Sequence, residues 1–270
     1  MAELQRLQKL LAQKGVASRR QIERLIREGR VQLNGKQVVQ MGVKIDPEQD
    51  WVQVDGRRIP LTAAPEDQSL PLMLNKPCGY LSTCQDPFHR STVLDLLPAT
   101  YRGQDQRLYP IGRLDRDSSG LLLLSNDGDL TLHLTHPRYH LPKTYLVEVQ
   151  GQPSPHVLQQ WKEGIDLDDS RTLPAEVTLQ DPRSLPDSLL SSDRRNSASA
   201  LTTWLRVVLH EGKKRQIRRV ASRLGHPVLT LHRIAVGSLH LGDLQCGQCR
   251  LLLPTEVATL KHESQASYVS

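Results

Sequence analysis

Three stretches of the chain concentrate side chains able to do chemistry. The first is Tyr109-Pro-Ile-Gly-Arg-Leu-Asp-Arg-Asp-Ser-Ser-Gly120, which runs straight into Leu121–Leu124. Asp115 stands there in a polar turn just before a strand-like run, and a strand end is a rigid mount for a carboxylate. Asp, Ser and Gly are also ordinary turn residues, so spacing alone leaves a plain turn of Asp115, Asp117 and Ser118 equally open. The second stretch is Lys143-Thr-Tyr-Leu-Val147, where Tyr145 offers a ring for stacking and a hydroxyl, or simply packs as a half-buried strand tyrosine. The third is Glu211-Gly-Lys-Lys-Arg-Gln-Ile-Arg-Arg219. Lys213, Lys214 and Arg215 lie before or at a helix start, where a phosphate also meets free backbone N–H groups. The helical period behind them buries Ile217, Val220 and Leu224. Arg218 then points elsewhere, for instance at a carboxylate in bidentate fashion.

Other chemistries lack their residues. Cys246-x2-Cys249 is half a zinc site, and Cys78-x5-Cys84 has poor ligand spacing, so the four cysteines read as structural thiols. His133, His136 and His140 cannot align on one helix because Pro137 interrupts it. There is no Gly-x4-Gly-Lys-Ser/Thr loop, no dinucleotide fingerprint and no Gly-x-Ser-x-Gly elbow. Neither a metal nor a cofactor is expected.

The elements that must position these groups can be read from periodicity. Leu4, Leu7 and Leu11 share a helical face over 4–14, and Gly15 stops it. Ser18 opens a second helix with Gln21 completing a capping box. Ile22, Leu25 and Ile26 form its apolar stripe, and Gly29 ends it. Asn34-Gly35 between alternating residues reads as a tight hairpin, with short strands at Val43–Ile45 and Trp51–Val54. The polar run 61–69 reads as a linker. Longer strands follow at Leu70–Leu74, Gly120–Ser125, Thr144–Val149 and Trp204–Leu209, mixed with helices at Asp127–Thr135, His156–Glu163 and Gln216–Leu224. The class is therefore α+β. Residues 182–200 read as a mobile insertion of low complexity, and those from about Lys261 as a frayed tail without apolar period.

A net charge of +6 over 270 residues becomes informative once located. Residues 1–45 carry ten Lys/Arg against three acids, and residues 210–235 carry seven against one. Two basic islands thus sit in an otherwise acidic chain. In the first, Arg19, Arg20, Arg24 and Arg27 occupy the polar face of the second helix, the footprint of a phosphate-binding surface. Aromatic residues amount to 4%, too few for a stacking platform that reads single strands. The densest apolar run, Leu121–Leu124, is far short of a membrane span, and the amino terminus is not a signal peptide. A cytoplasmic protein follows, with reduced thiols.

The first module resembles a known RNA-binding domain. Leu4–Leu11, Gly15, Ala17-Ser-Arg-Arg20, Leu25-Ile26, Gly29 and Val31–Gly35 are similar to the ribosomal S-four-type (alpha-L) domain over about residues 3–58. Gly112-Arg-Leu-Asp115, Ser118-Ser-Gly-Leu-Leu-Leu-Leu-Ser-Asn-Asp-Gly128, Lys143-Thr-Tyr145 and Lys214-Arg-Gln-Ile-Arg-Arg219 together resemble the pseudouridine synthases, and Leu74-Asn-Lys-Pro-Cys-Gly79 matches that family's opening motif. Order and content are similar to the RsuA/RluB/RluE/RluF group over roughly 3–255, apart from 182–200.

The resemblance implies an alpha-L domain at 1–60, a linker at 61–69 and a catalytic domain at 70–260 built on a central, mainly antiparallel sheet, with a tail at 261–270. It implies isomerisation of a uridine in ribosomal RNA, with no cofactor. Asp115 would be the catalytic carboxylate, Arg218 the basic partner that keeps it ionised, and Tyr145 the ring that stacks on the base. Ile217 would line the base pocket, while Arg113, Lys213, Lys214 and Arg215 would bind the substrate. The expected partner is ribosomal RNA or a ribosome-assembly intermediate, handled by a monomer. Similarity around Leu74–Leu97 and Gly112–Pro142 favours the large-subunit 23S RNA. The small-subunit 16S RNA, or a non-catalytic RNA-binding assembly factor, are the alternatives.

Overall fold

The computed structural model describes residues 4–61, 69–102, 107–136, 139, 141–168, 170–186, 189 and 201–269, with backbone only for the last three. The chain divides into two compact units, Met1–Leu70 with Ala99–Leu108 and Asn126–Gly128, and the remainder. Among the described residues no helix is long and apolar enough to cross a membrane.

The first unit holds helices α1 (Leu7–Gln13) and α2 (Arg19–Arg27) and six short strands: β1 (Gln5–Arg6), β2 (Val31–Leu33), β3 (Lys36–Gln37), β4 (Lys44–Ile45), β5 (Val52–Val54) and β6 (Arg57–Ile59). The expected helix over 4–14 is shorter, because residues 5 and 6 pair with β4 instead. The Ser18–Gln21 capping box forms as expected. The turn after β2 places Asn34 and Gly35 at φ 51° and 80°, which these two residue types tolerate best. A four-stranded sheet of order β3-β2-β5-β6 closes over Leu7, Leu11, Ile22, Ile26 and Val31, all buried.

The second unit is built on nine strands: β7 (Leu72–Lys76), β8 (Tyr109–Ile111), β9 (Ser119–Ser125), β10 (Lys143–Gln150), β11 (Glu176–Leu179), β12 (Thr202–Leu209), β13 (Val228–Val236), β14 (Leu239–His240) and β15 (Cys249–Leu251). Their order is β11-β12-β10-β13-β9-β7-β15, with β14 on β13 and β8 on β9. Every pairing is antiparallel except β9 with β13, so the sheet is mainly antiparallel as expected. At that parallel junction Gly120, φ 101°, pairs with Arg233, and a Cβ on Gly120 would collide with the Arg233 backbone. Only glycine fits there.

Helices α3 (Gly128–Thr135), α4 (Pro155–Glu163), α5 (Gln216–Arg223) and α6 (Pro254–Val269) cover the sheet. Leu130 and Leu134 of α3 and Leu260 of α6 pack with Met73, Leu121 and Leu123. Trp161 of α4 and Ile217, Val220 and Ala221 of α5 pack with Val147, Leu205 and Val207.

The tail expected to fray from Lys261 instead continues α6. Arg250 grips Glu256 through two hydrogen bonds of 2.8 and 2.7 Å, Leu253 N–H donates to Glu256, and Leu260 is fully buried. With that turn nucleated, further turns cost little, and buried Ser264 meets His133 Nδ1 at 3.1 Å. His133 also stacks on Tyr139, so its ring is engaged in packing; His140 lies outside the described residues. So does most of 61–69 and of 182–200, although Leu61 is buried in the first unit and Leu185 packs on Leu146 and Trp204.

Candidate active site

The loop carrying Asp115 links β8 to β9, and the end of β7 with the segment that follows it holds it in place. Lys76, with no solvent exposure, donates from Nζ to the carbonyls of Ser118 at 2.7 Å, Pro77 at 3.0 Å and Asp115 at 3.1 Å. Gly79 N–H donates to the Arg116 carbonyl at 2.7 Å. Ser82 Oγ donates to the Leu114 carbonyl at 2.9 Å and accepts from Leu114 N–H at 3.2 Å. Residues 114 to 118 are thus pinned at almost every peptide, and the Asp115 carboxylate, 37% exposed, faces a cavity. A plain turn would need no such scaffold.

That cavity measures about 290 Å³. Asp115 and Arg113 stand on one wall, Tyr145 at the start of β10 on another, and Lys214, Arg215 and Ile217 around α5 on a third. Ile217 is buried and gives the site an apolar surface beside Leu231 and Leu209. Asp115, Tyr145, Arg113, Ile217, Lys214 and Arg215 therefore come together as the sequence suggests.

The charge pairing differs from expectation. The ion pair of Asp115 is with Arg215, Nη1 to Oδ2 at 3.5 Å, and no Arg218 contact to Asp115 forms among the described residues. Arg215 also binds Asp117 through two hydrogen bonds of 3.0 Å. It does so from a left-handed backbone, φ 51°, as the residue capping α5. A non-glycine residue rarely sits there, and such strain gathers at functional sites. Arg218, next to Ile217 on α5, reaches the backbone of the same loop instead. It donates to the Asp117 carbonyl at 2.7 Å and lies 3.3 Å from the Asp117 carboxylate. Hydrogen bonding to Arg215, with both arginines' charge adding to it, holds the Asp117 carboxyl below the usual carboxylate range. The pair of arginines thus locks Asp117, and Arg215 is shared with Asp115.

Lys213 lines the same cavity, while its ammonium is engaged within the protein. Its Nζ donates to Ser170 Oγ at 2.8 Å and to the Arg171 carbonyl, and lies 3.7 Å from Glu211, so it ties down the loop before β11. In the first unit Arg19, Arg20, Arg24 and Arg27 are all exposed along α2, and Arg24 meets Glu28 at 3.5 Å. Arg30 is committed to Asp55 at 2.6 and 2.7 Å.

Sequence reasoning missed Lys76, because a lysine is normally read as exposed. The signal available was its place at the end of Leu72-Met-Leu-Asn-Lys76, every residue of which is buried. It also missed Asp117 as the anchor of both arginines.

Comparison with known proteins identifies the family of the chain. Residues 71–223 match the family described as RNA pseudouridylate synthase, and residues 5–50 match the S4 domain. The chain is 39% identical over 258 residues to the ribosomal large subunit pseudouridine synthase B of Bacillus subtilis, covering 96% of each protein. It is 40% identical over 177 residues to the ribosomal large subunit pseudouridine synthase E of Vibrio parahaemolyticus, covering 66% of this chain and 71% of that one. A crystal structure of a pseudouridylate synthase superposes with a TM-score of 0.63 at 28% identity, over 94% of this chain and 99% of that one. A matched family region spanning more than half of the chain, and a relative aligned along nearly all of it, show that the chain belongs to the RNA pseudouridylate synthase family, with an S4 domain ahead of its catalytic part.

Proposed function

We propose that the protein converts a uridine of large-subunit ribosomal RNA into pseudouridine, with Asp115 as the catalytic carboxylate. The observation that carries this is the pinned loop presenting Asp115 to a cavity with Tyr145 and Ile217. Relatives named for the large subunit supply the target class.

The reaction is an isomerisation and needs no co-reactant. The bond from N1 of uracil to C1′ breaks, the base turns, and a bond from C5 to C1′ forms as C5 gives up its proton and N1 takes one up. Asp115 starts it by attacking C1′ or by removing a sugar proton, and both routes use the ionised carboxylate. Arg215 at 3.5 Å supplies the counter-charge to that carboxylate. C1′ is unreachable inside a stacked helix, so the nucleotide must leave the stack. Tyr145 then stacks on the freed uracil, while Ile217 bounds its other side and keeps the detached base in place. Arg113, Lys214 and Arg215 draw in the phosphates around it.

Residues 1–60 grip the RNA through α2, and the chain from 70 onward does the chemistry, acting as a monomer in the cytoplasm. The test is to incubate the protein with deproteinised 23S and 16S transcripts and map pseudouridine in each. A single modified site in 23S supports the proposal, and modification of 16S alone overturns its target.

A further inference from the structure

A second cavity, of about 350 Å³, adjoins the first and shares Arg113 and Tyr145 with it. The chemistry above does not use it. Its floor is apolar, made by Ile111, Leu123, Leu134 and Val236, and its wall carries Lys143 and Arg233. The strands explain why these two cations meet. Lys143 and Tyr145 are two residues apart on β10 and so share a face. Arg233 on β13 is the register partner of Tyr145.

Neither cation has a carboxylate partner among the described residues. Arg233, only 6% exposed, donates Nε to the Leu121 carbonyl at 2.7 Å and makes no ion pair. Lys143 makes none either, and burial, together with the charge of Arg233, pushes its ammonium down to about 8. The one acidic residue lining this cavity is committed elsewhere. Glu211 accepts from Gln216 Nε2 at 2.7 Å and from Leu173 N–H at 2.8 Å, and pairs with Lys213 at 3.7 Å. Two like charges in a largely buried wall are costly without a counter-charge. An anion entering the cavity would remove that cost. The anion that accompanies an RNA substrate is its own phosphodiester.

We propose that this cavity is a second nucleotide subsite, in which Lys143 and Arg233 hold a phosphodiester adjoining the flipped uridine and the apolar floor receives the neighbouring base. This rests on the reading of the protein as a synthase acting on ribosomal RNA. It assigns Lys143 to binding the strand beside the target and leaves the bond changes at C1′ to Asp115.

The test is Lys143→Met, which keeps the length of the side chain and removes its charge. With a 23S transcript as substrate, KM rises about tenfold and kcat stays within about twofold. The slope of log affinity against log salt flattens by about 0.7 to 0.9, as expected when one phosphate is no longer neutralised. Thermal stability does not fall, since an unpaired, half-buried charge has gone. Should Lys143→Met fail to fold, Lys143→Gln carries the same measurements. A folded variant with wild-type KM and salt slope overturns the subsite while the wild type still makes pseudouridine. A loss confined to kcat overturns it too, by placing Lys143 in the chemistry. A wild type that leaves the transcript unmodified overturns the parent reading instead.

Discussion

Lys76 decides how rigidly Asp115 is held. Its three carbonyl acceptors require three N–H donors, and only the ammonium form has them. Burial pushes that ammonium down to about 8. The folded value lies below the unfolded one, so the cost of burying the charge is present at neutral pH and fades as pH rises from about 8 toward 10.5. The loop, however, loses a donor over the same range. We therefore expect kcat to fall as pH rises through about 8 while the fold persists, and Lys76→Met to lower kcat about 10- to 100-fold at pH 7. A kcat flat to pH 9 contradicts this role. Lys143 titrates in the same range but acts on KM, so the two separate in a full kinetic profile. At this scale the meeting of Asp115 and Tyr145 at one cavity agrees with the family motifs that single them out, where spacing alone left a plain turn and a packed tyrosine open. The pairing of Arg215 with Asp115 was not, because it depends on a left-handed residue that spacing does not reveal.

Among the elements, the parallel junction of β9 and β13 sets the geometry on which the site rests. His232 pairs there with Ser119, Nδ1 to Oγ at 2.9 Å, and burial pushes the ring down to about 4 from 6.5. Above about pH 6.5 the ring is neutral in both folded and unfolded chains and has no effect on stability. As pH falls from 6.5 to 4, the unfolded chain binds the proton first, and stability drops by up to about 3 kcal/mol. Below about 4 the loss stops. Melting temperatures across this window should fall for the wild type and flatten for His232→Gln; equal profiles would remove His232 as the cause. Strand β13 itself escaped the sequence reading because His232 and Arg233 interrupt its apolar pattern, although both are buried. Apart from α6, the helices and the other long strands were legible from apolar spacing and caps. Helix α6 was not, since it is nucleated by the Arg250–Glu256 pair and the burial of Leu260, which apolar spacing does not reveal.

For the whole molecule, a modest net charge conceals two separated basic islands. One lies on α2, and the other lies at α5 beside the Asp115 cavity. The division of labour follows from the shape of each. The first offers exposed arginines with little else, suited to phosphates in structured RNA, and the second combines cations with pockets. Replacing Arg19, Arg20 and Arg24 with glutamine should weaken rRNA affinity and flatten the salt slope by up to about 2.7, about 0.9 for each phosphate released from its arginine. Arg24 contributes least because Glu28 competes for it. An unchanged slope in a binding titration would take α2 off the RNA surface. Both islands were legible because counting charge along the chain needs no knowledge of tertiary structure. The commitment of Arg30 to Asp55 and of Lys213 to the loop before β11 was not, because those partners are distant in sequence.

The role of Asp115 is tested most directly by Asp115→Asn, which keeps the side-chain shape. Among the described residues the substitution removes one ion pair, at 3.5 Å to Arg215, and Arg215 keeps both of its hydrogen bonds to Asp117. Melting temperature and rRNA affinity should therefore remain close to wild type, while pseudouridine in a 23S transcript falls below detection. A variant that folds, binds and still forms pseudouridine at a rate within about tenfold of wild type would contradict the assignment of the chemistry to this carboxylate.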